Sequence, residues 1–250
     1  MDLHDPASLA ALFALVFAAA VLYSSVGHGG ASAYLALLAI FGAPAREAAS
    51  TALVLNCLVA GVAFATYARA GFFSWRLLLP FAVASVPAAY LGGSLEVSGR
   101  LYAILLCAAL LAAAARLWVH VPAPEADLRP PSLPVAVVTG GALGFLAGLI
   151  GIGGGIFLSP LVLLRRWAGV RTTAGVAASF ILVNSLAGIA GRAVHGHFAV
   201  ANLLPLLLAA GAGGLVGSRL GAHRLGTLAL CRLLAVVLLV ALGRKVMLAA

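Results

Sequence analysis

Apolar residues in this chain neither alternate nor recur at the spacing of a surface helix; they run on without polar relief. Hydrophobic runs fall at Leu9–Phe41, Ala48–Ala68, Leu77–Leu95, Leu101–Val119, Leu133–Leu164, Thr173–Ala193, Val200–Leu220 and Thr227–Leu242, each bounded by Arg, Pro, Gly or His. Runs of this length and apolarity predict helices that cross a bilayer. The eight runs form two sets of four. Between them lies Pro122-Ala123-Pro124-Glu125-Ala126-Asp127-Leu128-Arg129-Pro130-Pro131, the one stretch rich in Pro and charge together, which reads as an extended linker. The expected organisation is a first transmembrane repeat over 1–121, a linker over 122–132 and a second repeat over 133–250.

Two runs are too long for one simple span. Leu9–Phe41 has 33 residues, roughly 50 Å as a helix at about 1.5 Å per residue, against a hydrocarbon core of about 30 Å. Both long runs are interrupted by glycine: Ser24-Ser25-Val26-Gly27-His28-Gly29-Gly30 in the first, Gly148-Leu149-Ile150-Gly151-Ile152-Gly153-Gly154-Gly155 in the second. Such density breaks a helix, and backbone freed at membrane depth is tolerated only inside protein or along a cavity. Paired breaks, one in each half, point to the binding site of a secondary transporter.

The halves also resemble each other. Gly27, Gly29 and Gly30 stand 124 residues before Gly151, Gly153 and Gly154, and Gly71-Phe72-Phe73 precedes Gly196-His197-Phe198 by 125. Pro80 and Pro205 keep the same shift, and Asn56 and Asn184 both fall mid-way along the second run of a half. Internal duplication follows. If each glycine break turns the chain back, each half crosses an odd number of times and the halves are inverted. Ten basic residues (Arg69, Arg76, Arg116, Arg129, Arg165, Arg166, Arg171, Arg219, Arg224, Arg232) then share one side, against Arg46, Arg100, Arg192, Arg244 and Lys245 on the other. A straight-through chain would divide them almost evenly, so the positive-inside bias favours inversion, with both termini outside. The expected fold is an all-α polytopic membrane protein of two inverted repeats whose broken or re-entrant helices meet near the bilayer midplane.

Composition agrees: 64% of the 250 residues are hydrophobic, 8% are charged, and mean hydropathy is +1.17. The N-terminus carries Asp2 and Asp5 and no basic residue ahead of the first run, so a cleaved signal peptide is not expected. The formal charge of +9 comes from scattered residues with no basic stripe, which argues against nucleic acid and for topology and headgroup contacts with the lipid bilayer. Cys57, Cys107 and Cys231 lie inside apolar runs without metal-ligand spacing and read as small buried hydrophobes.

Enzyme motifs fail at the second break. Ile156 stands where a dinucleotide fingerprint needs its third glycine, and Ile156-Phe157 stands where a P-loop needs Lys-Ser/Thr. What survives is a concavity of glycine amides with helices restarting at Ala31 and Ile156, whose positive ends favour an anion. Around it the candidate substrate-binding residues are Ser25, Gly27, His28, Gly29, Gly30, Ser32, Asn56, Gly151, Gly153, Gly154, Gly155, Ser179 and Asn184. His28 could donate to an anion or carry a proton, or be a satisfied packing histidine. Asn56 and Asn184 suit either a substrate oxygen or a helix-to-helix bridge. Ser24, Ser25, Ser32, Ser179 and Ser185 offer hydroxyls that equally serve their own helices. Gly140, Gly144 and Gly148, like Gly213, Gly217 and Gly221, read as close-packing stripes. Arg171-Thr172-Thr173 reads as a helix start with hydroxyl caps, and Arg192, His195 and His197 as a solvated rim. Glu47 and Glu96 are the only carboxylates near spans, both at run ends, so no catalytic residues, metal site or cofactor are expected.

At Gly27-His28-Gly29-Gly30, at Gly148 through Pro160, and at Thr172-Thr173-Ala174-Gly175 leading to Ser179 and Asn184, the chain resembles the TauE/SafE family of sulfite and organosulfonate exporters. The likeness covers nearly the whole chain and departs at Ala31, where the other half has Gly155. It implies a permease of a bacterial inner membrane for small sulfur-containing anions such as sulfite or sulfonates, working without ATP. A coupling proton or sodium ion and a homodimer stay open, as do an integral-membrane enzyme and a non-transporting scaffold or channel as other readings.

Overall fold

The structure is a computed structural model that describes residues 6–95, 128–196, 198, 200 and 203–226, with five more between 228 and 236. The run Leu101–Val119, most of the linker and most of Thr227–Leu242 lie outside the described residues. Eight α-helices are described: α1 (Pro6–Ser24), α2 (Ala31–Ile40), α3 (Ala45–Arg69), α4 (Trp75–Ser94), α5 (Leu133–Ile150), α6 (Gly155–Leu164), α7 (Val170–Val194) and α8 (Leu203–Arg219), which runs into one π turn, Leu220–Arg224. Among the described residues five helical segments are long and apolar enough to cross a membrane: Ser50–Arg69, Trp75–Ser94, Leu133–Ile150, Val170–Val194 and Leu203–Arg224. The protein is an all-helical, multi-pass membrane protein.

Both long runs are broken where the glycines fall. α1 stops at Ser24 because Gly27 turns left-handed (φ 76°), letting the Gly27 and His28 amides reach back to the carbonyls of Ser24 and Tyr23 at 3.0 and 2.9 Å. Gly151 (φ 75°) ends α5 the same way, with its own amide and that of Ile152 on the Ala147 carbonyl. The restarts come at Ala31 and at Gly155, one residue earlier than Ile156. Gly154 takes a left-handed conformation as the cap, which frees Gly155 to be helical.

Each broken run forms a hairpin. Near its start, Leu9 and Leu12 of α1 line a small apolar cavity with Leu38 of α2 and Pro44 and Glu47 at the head of α3. At its end, the Ser25 carbonyl accepts from Tyr67 Oη, near the tail of α3, at 2.5 Å. α2 then returns from mid-depth to the side on which α1 began. In the second half the Arg129 amide donates to the Arg166 carbonyl at 2.9 Å, so α5 begins beside the end of α6. We call the side where α1 and α3 begin the first face and the opposite side the second face. By position along the helices, Arg69, Arg76, Arg129, Arg165, Arg166, Arg171 and Arg219 lie toward the second face, and Arg46 and Arg192 toward the first.

α3 and α7, each 25 residues long, pack antiparallel: Tyr67 meets Gly175, Leu182 lies over Gly61, and Asn56 bonds Ser185. Around this pair the contacts come in twos: α4 with α5 and α1 with α8, α4 with α7 and α8 with α3, α2 with α3 and α6 with α7. α2 and α6 are both 10 residues long. The glycine stripes explain two of these contacts. A Cβ on Gly140, Gly144 or Gly148 would run into the main chain of Phe81, Ser85 or Ala89, and one on Gly213, Gly217 or Gly221 into that of Phe17, Val21 or Ser25. Both pairs are therefore parallel, held by backbone-to-backbone approach of the kind that replaces hydrophobic drive in lipid. The outer sides of α4, α5 and α8 present Val83, Val138, Leu204 and Leu208, whereas α7 is the most enclosed span, 72% of its apolar window being buried.

One local expectation is corrected. α7 begins at Val170 with Gly169 as its cap and no side-chain cap bond, so Thr172 and Thr173 sit inside the first turn and are not capping hydroxyls. A cap residue must precede the first helical residue.

Candidate functional site

The two glycine breaks meet at one side chain. Asn56 stands at the middle of α3, and its Oδ1 accepts from the Ala31 amide at 3.1 Å while its Nδ2 donates to Ser185 Oγ on α7 at 2.8 Å. The Ala31 amide opens α2 and has no carbonyl of its own helix to bond, so α3 caps α2 from outside. A Cβ on Gly29 would collide with Asn56 Oδ1, and one on Gly153 would stand 2.6 Å from Asn56 Nδ2 and 2.8 Å from Ser185 Oγ. Glycine at 29 and 153 is thus what lets both breaks press against the same amide. Gly155 is held as closely by Ile181, and Gly154 by Ala147 and Phe180.

A second tie crosses between the breaks. His28, buried, brings Nε2 to 3.2 Å from Ser159 Oγ on α6. Its Nδ1 makes no hydrogen bond of good geometry, although the Gly155 backbone lies against the ring. Beside it Tyr23 Oη and Ser32 Oγ pair at 2.9 Å. These groups border a small cavity lined by Tyr23, His28, Gly29, Gly30, Ala31, Ser32, Asn56, Ile152, Ile156 and Ile181. It holds about 10 Å³, room for about one water molecule and no more.

Its lining residues include no carboxylate, and among the described residues no three of His, Cys, Asp and Glu gather to hold a metal. What the cavity offers is donors: an imidazole, two hydroxyls, a carboxamide, and the leading ends of α2 and α6. A helix N-terminus carries partial positive charge and bare amides, so two such ends converging on one point favour an anion without a fixed cation.

Of the residues singled out in the sequence, His28, Gly29, Gly30, Ser32 and Asn56 line the cavity, and Gly153, Gly154 and Gly155 form the facing break. Gly27 and Gly151 stand one turn back as helix stops. Three serve their own helices instead: Ser25 Oγ donates to the Leu22 carbonyl, Ser179 Oγ to Val176, and Asn184 Nδ2 to Phe180. At the 125-residue shift of α3 and α7, position 56 corresponds to Ile181, so Asn184 lies almost a turn beyond the counterpart of Asn56. The partner of Asn56 across the halves is Ser185. Ser159 and Tyr23 are not among the candidates read from the sequence, although Ser159 lies within the motif Gly148 through Pro160 and places a hydroxyl inside the short apolar stretch Ile156–Leu164. Arg192, read as part of a solvated rim, instead reaches the second break, with Nη2 3.5 Å from where a Cβ of Gly151 would stand.

Comparison with known proteins bears on what these parts do. The family model described as Sulfite exporter TauE/SafE matches residues 12–245. The "Probable membrane transporter protein y4hK" of Sinorhizobium fredii (strain NBRC 101917 / NGR234) is 35% identical over 229 residues, 90% of this chain and 92% of that protein. No solved structure matches the chain.

Proposed function

The chain belongs to the sulfite exporter TauE/SafE family of membrane transporters, and from that premise we propose that it is a secondary permease of a bacterial inner membrane, moving sulfite or a related small sulfur-containing anion. The observation that carries the reading is the meeting of both glycine breaks on Asn56, half-way along α3, around a small cavity of donors. The anion is held there by the Asn56 amide, His28, Ser32 and the leading amides of α2 and α6. Charge is met by oriented dipoles, which leaves the site neutral once the anion departs.

A cavity with room for about one water is the contracted state of such a site. Sulfite needs more room, so binding entails separation of the breaks, toward one face or the other. Inverted repeats over 1–121 and 133–250, joined by 122–132, supply the means: rocking one half against the other about α3 and α7 exposes the cavity alternately. The antiparallel α3–α7 pair and the twinned contacts around it support that inversion. The concentration of arginine at the second face supports its being cytoplasmic, with the first face outside.

The test is uptake of radiolabelled sulfite into liposomes containing the purified protein, with taurine, sulfoacetate and acetate as competitors. Saturable uptake above empty liposomes, competed by sulfonates more than by acetate, is expected. No saturable uptake of any of these anions, under imposed proton or sodium gradients or none, overturns the reading.

A further inference from the structure

Tyr67 and Arg192 hold the same place in the two halves: they lie 125 residues apart, each third from the end of its 25-residue helix. Each leans on the break that lies at its own end of the molecule. Tyr67 Oη donates to the Ser25 carbonyl, and Arg192 Nη2 lies 3.5 Å from the Cβ position of Gly151.

The surroundings of the two breaks differ. Gly27 lies against the main chain of Ala174, and the neighbouring Ser25 carbonyl is packed against Gly221. The first break is therefore closed toward the second face by backbone, which moves only if helices move. Gly151, the counterpart of Gly27, has side-chain tips nearest it, Arg192 Nη2 at 3.5 Å and the Leu53 methyl end at 3.7 Å, both at ordinary contact distance. Such tips can be displaced by side-chain rotation without the movement of a helix. Arg192 also stands toward the arginine-poor first face, where a topology charge is not called for, and it is half-buried. A guanidinium kept partly out of water beside a helix break is a functional feature by default.

We infer that Arg192 is the entry ligand for the anion at the first face, its fork of donors receiving a sulfur oxyanion and its displacement, with Leu53, uncovering Gly151 and the amides beyond it. The inference rests on the permease reading of the same site. It makes the two mouths unequal: a side-chain gate at the first face, with a guanidinium on the break itself, and a backbone-sealed one at the second, tied by Tyr67, where Arg171 is held by the Leu225 carbonyl and the Phe72 ring.

Radiolabelled sulfite uptake is measured in right-side-out and inverted membrane vesicles, for wild type, Arg192→Gln and Arg192→Lys. Expected for Arg192→Gln is a KM raised about ten- to a hundredfold, the worth of one hydrogen bond to a charged group, in one vesicle orientation only, with kcat within about twofold. Arg192→Lys keeps the charge without the fork and should fall between the two, with a KM lower than that of Arg192→Gln and higher than that of wild type. An unchanged KM for Arg192→Gln, or an equal rise from both sides, overturns the inference while leaving transport itself intact; absence of sulfite uptake by wild type overturns the permease reading instead. If Arg192→Gln does not fold, wild-type KM against salt decides. A guanidinium at the first mouth makes KM for sulfite presented from that face rise severalfold between about 50 and 300 mM NaCl, and a salt-insensitive KM from that face rejects it.

Discussion

Replacing Asn56 by leucine, close to it in volume, removes a side chain that touches both breaks and both central helices. Two hydrogen bonds go, from the Ala31 amide at 3.1 Å and to Ser185 Oγ at 2.8 Å. Interhelical side-chain bonds in membrane proteins average about 0.6 kcal/mol because the unfolded chain in lipid finds other partners. Two ordinary bonds of that kind would be worth about 1.2 kcal/mol. The Ala31 amide is different. It heads a helix, it is buried, and its own helix offers it no carbonyl, so leaving it bare costs about 1–3 kcal/mol by itself. The expected loss for Asn56→Leu is therefore about 2–4 kcal/mol, read from reversible unfolding in detergent, together with loss of sulfite flux in liposomes. Asn56→Asp is the informative companion: it keeps the acceptor for Ala31 but places a negative charge where an anion is to bind. It should retain more stability than leucine yet transport no better. A loss below about 1 kcal/mol for Asn56→Leu, with flux intact, would refute the claim that this residue joins the breaks.

Other substitutions test neighbouring steps. Alanine at Gly27 must adopt a left-handed φ and also meet the Ala174 main chain, whereas alanine at Gly151 bears only the φ cost of about 1–2 kcal/mol. Gly27→Ala should therefore lower the unfolding temperature clearly more than Gly151→Ala, and the reverse order would contradict the unequal packing of the two breaks. Tyr67→Phe deletes the bond to the Ser25 carbonyl and should cost about 1–2 kcal/mol, measured in the same unfolding assay; no change would mean that the second-face seal is packing alone. Gly144→Val drives a side chain into the Ser85 backbone and should separate α4 from α5, giving aggregated protein on gel filtration, whereas Gly141→Val, whose nearest neighbour is the Ala84 methyl at 3.6 Å, should stay monodisperse.

Much of the architecture was legible before any coordinates, because the bilayer permits so few alternatives. Apolar runs of bilayer length had to be helices, since lipid offers their backbone no other partner, and three pairs of glycines spaced 124 residues apart in two such runs had to interrupt them. The glycine stripes were equally readable, small residues at spacing four having one common use between helices in lipid. Sequence by itself thus determined the helical class, the places of both breaks and which helix faces pack closely, all of which follow from local backbone chemistry.

Only tertiary structure decided which polar side chains converge. Asn56 and Asn184 looked alike along the chain, yet one bridges the two halves while the other bonds the carbonyl four residues before it. Arg192 looked like a rim charge and reaches a break. The difference lies in rotation: moving a few positions along a helix swings a side chain around its axis, and whether it then faces a break, a neighbour or lipid depends on how α3 and α7 are packed. That packing is a property of the assembled bundle, set by contacts between residues more than a hundred positions apart.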